Sequence, residues 1–160
     1  SMNDTAVARA LHVLAIVIWI GGVAMVTLVL LPAVRHLKPA GERIAFFETV
    51  ESQFAHQSRA TTLLAGLSGF YLISRLDLWS RFGDPSYWWM HAMVGVWALF
   101  TLMLFVAEPL FLHRWFRTRA ERAPESTFAL IVRLHWVLLG LSVLTILGAV
   151  AGAHGLILFG

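Results

Sequence analysis

Four long apolar stretches alternate with short basic or aromatic segments along the chain. The first runs from about Ala6 to Leu31 and is closed by Pro32, and the second runs from about Arg59 to Leu76. The third begins near Tyr87-Trp88-Trp89 and continues to about Phe116, and the fourth runs from about Phe128 to Leu156. A helix needs about 20 mostly apolar residues to cross a hydrocarbon core roughly 30 Å thick, so the pattern predicts four transmembrane helices. Between the first two stretches, Ile44, Phe47, Val50 and Phe54 recur at helical spacing while Glu42, Glu48 and Glu51 take other faces. That periodicity predicts a short amphipathic helix lying at the membrane surface before the chain turns inward. The expected fold class is an all-α integral membrane protein: a four-transmembrane-helix up-down bundle, one domain over residues 1–160.

Composition agrees with a lipid solvent. Hydrophobic residues make up 59% of the chain and charged residues 13%, which excludes an ordinary water-soluble domain. The absence of cysteine removes disulfides, thiolate ligands and thiol catalysis. Excess positive charge would point to nucleic acid in a soluble chain, but here the basic residues flank the apolar stretches and act as topology signals, so no nucleic-acid partner is expected. Arg35, Lys38, Arg43, Arg59, Arg114, Arg117, Arg119, Arg122 and Arg133 fall on one side, against Arg9, Arg75 and Arg81 on the other. By the positive-inside rule the first side is cytoplasmic, which puts both termini in the periplasm of a bacterial inner membrane and makes the amphipathic helix cytoplasmic. Trp79, Trp88 and Trp89 form an aromatic belt at the outer interface. Ser1-Met2 reads as a cleavage scar, with no signal peptide ahead of the first span.

Seven histidines stand out against this background. An imidazole at membrane depth is costly unless it is paired or coordinating, so such residues are read first as a site. With alternating spans, His12, His91 and His154 collect near the outer face, and His56 and His135 near the inner one. A diagonal pair of histidines at one depth is the arrangement that holds a haem in a bundle core, one imidazole on each side of the iron. The expectation is therefore His12 with His91 and His56 with His135, binding one or two haems b. Gly95 and Ala98 follow His91 on its own face and leave room for a flat macrocycle; Gly21, Gly22, Gly66, Gly69 and Gly140 are further points of close approach, or simply helix contacts. Trp19 shares the face of His12 and would pack on the ring or fill the core. Three converging outer histidines, His12, His91 and His154, would instead suit copper or zinc. His36 and His113, at the basic interface, read as solvated.

Two further charges lie within or beside the spans. Glu108, followed by Pro109, sits toward the inner end of span three, where Arg59 and Arg133 are the nearest cations by depth. It reads as an ion pair or as part of a proton relay. Arg133, two residues before His135, would bind a haem propionate.

The run Leu11-His12-Val13-Leu14-Ala15, followed by Trp19-Ile20-Gly21-Gly22 and Leu31-Pro32, resembles the first helix of the copper-resistance D superfamily of small bacterial membrane proteins. That superfamily is similar to the membrane-bound protoporphyrinogen oxidases, compact haem-associated bundles with an early-helix histidine. Arg133-Leu134-His135-Trp136 resembles the ligand-bearing segment of bacterial di-haem b-type cytochromes. The resemblance implies a ligand role for His12, to copper in one branch and haem in the other. The methionine-rich motifs of copper handling are missing, since the five methionines are scattered.

Together these readings predict a membrane b-type haem protein that transfers electrons in or across the membrane, with quinone or a periplasmic redox protein as partner and lipid as surroundings. The alternatives are a copper-handling protein with an outer histidine site, and a haem-dependent oxidoreductase acting on a porphyrinogen or quinone.

Overall fold

The computed structural model describes residues 2–160, which form four long helices and no strand. α1 spans Met2–Leu37, α2 Ala40–Arg75, α3 Pro85–Arg122 and α4 Pro124–Ala153. α1, α3 and α4 are long and apolar enough to cross a membrane. α2 matches them in length but carries Glu42, Arg43, Glu48 and Glu51 in its first half and Arg59 just past its middle. Lys38-Pro39 joins α1 to α2, residues 76–84 join α2 to α3 through a 3-10 turn at Trp79–Gly83, and Ala123 alone joins α3 to α4. Links this short make consecutive helices antiparallel neighbours. One end of the bundle is therefore basic, with Arg35, Lys38, Arg43 and the arginines of α3, and the other is rich in tryptophan.

Three element boundaries differ from expectation. The amphipathic segment is not a separate surface helix, because α2 continues unbroken from Ala40 to Arg75. No glycine or proline lies between Glu42 and Ala65, so nothing stops it. Pro32 does not close the first helix either: bonding widens to i→i−5 over Val26–Leu30 and the helix runs on to Leu37. Pro109 is accommodated in the same way, within a widened segment at Met103–Leu112. Proline lacks the N–H that an α-helix needs, and a π segment redistributes the loss. The fourth helix stops at Ala153, ahead of Gly155, whose φ of 100° only glycine adopts readily.

The core has three layers. At the basic end Leu31 and Val34 of α1, Phe47 of α2 and Phe128 of α4 are buried together. In the middle Trp19 meets Phe100 edge-on at 5.0 Å beside Ala15 and Ala65. At the other end Ile73, Trp89 and Met90 close the bundle. The outside is apolar as well, with Val13, Val17, Leu102, Leu144 and Leu147 exposed, as a lipid-facing surface requires.

Polar ties between helices centre on α2. The His12 ring contacts Ala65 O and Ser68, Gln57 donates to Ile18 O, Trp97 donates to Thr62 O, and Arg117 pairs with Glu48. The buried hydroxyls of Thr27, Thr127, Ser142 and Thr145 instead donate to carbonyls four residues back in their own chain. Among the described residues, α4 has one side-chain hydrogen bond to another helix, Ser126 accepting from Arg119 beside the link.

Candidate functional site: a carboxylate–histidine cavity

All four helices contribute to a cavity of about 150 Å³ toward the basic end. Most of its wall is apolar, including Val23, Phe54, Phe100 and Leu104, and its titratable groups are Glu48, Glu51, Glu108, His113 and His135. Local geometry explains their convergence. Glu48 and Glu51, three apart on α2, share a face. Glu108 and His113 are five apart, which in an α-helix would separate them by about 140°. The π segment brings residues five apart onto one face, and His113 Nε2 lies 3.1 Å from Glu108 Oε1. On α4, His135 Nδ1–H donates to Ile131 O at 2.8 Å and its ring meets Phe47 edge-on at 5.5 Å, which fixes the tautomer and leaves Nε2 with its lone pair.

The carboxylates are crowded and short of cations. Glu108 is only 6% exposed. Glu48 accepts from Arg117 through Oε2 at 3.3 Å, but its Oε1 is buried with no hydrogen-bond partner, 3.8 Å from His113 Nδ1. The Glu51 carboxyl lies against that of Glu108, with Glu48 nearby and Arg59 as a neighbouring cation. One ligand atom each from Glu51, Glu108 and His113 lies within 4.8 Å of the others, the one such set of three among the described residues. Two oxygens and one imidazole nitrogen are the donor types of a borderline divalent metal site.

The structure disposes the expected ligands differently. His12 Nδ1–H donates to Ala65 O at 3.0 Å and lies 3.1 Å from Ser68 Oγ, with Gly69 against the ring. His91 is exposed, its Nε2 committed to Phe82 O at 2.6 Å beside a shallow outer pocket that His12 does not line. His56 is exposed and absent from the cavity that His135 lines. Neither expected pair shares a cavity. His154 is exposed, with Nδ1 bonded to Val150 O at 2.7 Å, and it does not converge with His12 and His91. Arg133 and Gly95 are exposed, and Gly95 has nothing within 4 Å of where a Cβ would stand. Trp19 fills the core, 2% exposed, with its indole N–H unpartnered.

Glu108 finds His113 and Glu51 rather than Arg59 or Arg133. His113, expected to be solvated, is partly exposed and also lies within hydrogen-bond distance of Glu108. Glu48 and Glu51 also line the site. Their i, i+3 spacing with Glu108-Pro109 and His113 downstream was the signal available; it required a proline-induced change of helical register to be read.

No family model matches the chain, and no curated protein or solved structure matches it. The family resemblance therefore rests on the residues quoted for it.

Proposed function

We propose that this chain is a multi-span membrane protein that binds a divalent transition-metal ion in the cavity at its basic end. The observation that carries the reading is the convergence of Glu51, Glu108 and His113 within 4.8 Å in a partly buried, mostly apolar cavity. Glu48, through its unpartnered Oε1, and His135, through Nε2, are placed to complete the coordination. Oxygen and imidazole donors without sulfur suit manganese, iron, cobalt or zinc better than Cu(I). In this reading all four helices cross the membrane, the basic end faces the cytoplasm, and the ion enters from that side.

The test is metal binding by the purified protein in detergent, with Co²⁺ as the probe because its visible bands report coordination. Wild type should bind one ion per chain. Glu108→Ala and His113→Ala should each weaken binding by at least about tenfold, the scale on which even supporting residues act. Undiminished binding by both variants would refute the assignment.

A b-type haem is the second reading, favoured by one observation: His12 donates Nδ1–H to a carbonyl, the orientation in which Nε2 serves as a ligand. As disposed here the histidines do not make a bis-histidine cage. No electron-transfer step is assigned to haem on this geometry. A Soret band in protein from haem-replete cells, lost in His12→Ala, would favour this reading over the first.

A further inference from the structure

We infer that Arg59 is a positioning residue for the Glu108–His113 pair: it supplies the hydrogen bond that Pro109 cannot make and so holds α3 in the widened register the site requires. The inference rests on the metal-binding reading for its functional consequence but on backbone geometry for its cause. In an i→i−5 pattern, residue 109 should donate to the carbonyl of residue 104. Pro109 has no N–H, so Leu104 O loses that partner. Arg59 of α2 donates Nε–H to Leu104 O at 3.0 Å. An orphaned carbonyl in an apolar wall is expensive, and a charged donor satisfies it well. The consequence falls four and nine residues downstream of that carbonyl, because the same widened turns set Glu108 and His113 on one face. A return to ordinary α bonding would swing His113 about 140° from Glu108.

A second role for Arg59 is conceivable, since its charge also acts on Glu51. The two roles differ in sign. If Arg59 acted only as a nearby positive charge, its removal would tighten binding of a cation; if it positions the pair, its removal weakens binding.

The experiment measures Co²⁺ affinity for Arg59→Leu, Arg59→Lys, Pro109→Ala and the double variant Arg59→Leu with Pro109→Ala, in the full chain in detergent. Arg59→Leu should lose about tenfold or more in affinity, and Arg59→Lys, which can still donate to Leu104 O, should recover part of it. Pro109→Ala restores an N–H that can itself donate to Leu104 O, so in that background Arg59→Leu should cost much less affinity than it does in wild type. A role of Arg59 unrelated to Leu104 O would cost the same in both backgrounds. Tighter binding by Arg59→Leu, or an equal loss from Arg59→Leu with and without Pro109→Ala, overturns the inference while Glu108→Ala still decides the metal site separately. Should wild type bind no Co²⁺, the metal reading falls. The register claim is then judged by a structure of Arg59→Leu, which overturns it if Met103–Leu112 keeps i→i−5 bonding and supports it if the segment becomes α-helical.

Discussion

Gly66→Ala should destabilise the protein although alanine is the better helix former. A Cβ at residue 66 would stand 2.5 Å from Trp97 Nε1 and 2.6 Å from Cε2 and Cζ2. The indole would have to retreat about 1 Å to regain ordinary carbon contact. It is held by its hydrogen bond to Thr62 O at 2.9 Å and by an edge-on contact with Phe70 at 5.3 Å. Overpacking of this kind costs about 1–3 kcal/mol. Losing the hydrogen bond adds about 0.5–1.5 kcal/mol, and the helix propensity of alanine returns about 1 kcal/mol. The net loss is about 0.5–3.5 kcal/mol, which for a chain of this size lowers the thermal midpoint by roughly 1–14 °C. Thermal unfolding in a fixed detergent, followed by circular dichroism, measures it. Gly95→Ala is the control, since nothing lies within 4 Å there, and its midpoint should hold or rise. Adding Trp97→Phe to Gly66→Ala should recover part of the loss by removing the clashing atoms. A Gly66→Ala protein as stable as wild type would show that the indole is not held as described.

Trp19→Phe should change stability by less than about 1 kcal/mol, because the N–H it removes has no partner; a drop near the roughly 3–5 kcal/mol of a Trp→Ala truncation would reveal a hidden acceptor. His135→Ala should reduce Co²⁺ affinity less than Glu108→Ala does, as it lies outside the converging trio, and equal losses in a side-by-side titration would argue against that ranking. Gly69→Ala would bring a Cβ to 3.0 Å from His12 Cε1 and turn the ring; NMR of ¹⁵N-labelled histidine should show His12 shifted and His135 unchanged. A phosphatase reporter fused after Gly160 should be active, as an external C-terminus requires, and activity only from a cytoplasmic reporter there would invert the orientation.

Helices were legible in the sequence wherever apolar runs were long, as in α1, α3 and α4, because length and hydropathy alone decide them. Their ends were not. Pro32 looks like a stop in a one-dimensional reading, yet like Pro109 it lies in a continuous helix because a π segment absorbs the missing N–H. The same effect hid the candidate site. Glu108 stood out as a carboxylate at depth, but its partner His113 sits five residues away, a spacing that α-helical periodicity assigns to another face. Glu48 and Glu51 fall on faces other than the apolar stripe that Ile44, Phe47 and Phe54 define. In a bundle with an internal cavity, the flank of that stripe is also inside. Depth was readable for the histidines, but rotation about each helix axis was not, and rotation turns His56 and His91 outward.

The uneven distribution of polar ties bears on how the molecule is assembled. Lipid supplies no hydrophobic drive for helix association, so packing and interhelical hydrogen bonds do that work. α1 and α3 are each fastened to α2 by such bonds, while α4 has one, Ser126 to Arg119 beside the link, and otherwise packs by shape, with Trp88 and Trp89 of α3 fitted against its Gly148 and Gly152. Most of these ties are in place once the first three helices have met. α4 closes one wall of the cavity and contributes His135, so a chain ending before Pro124 would leave the acidic groups open on that side.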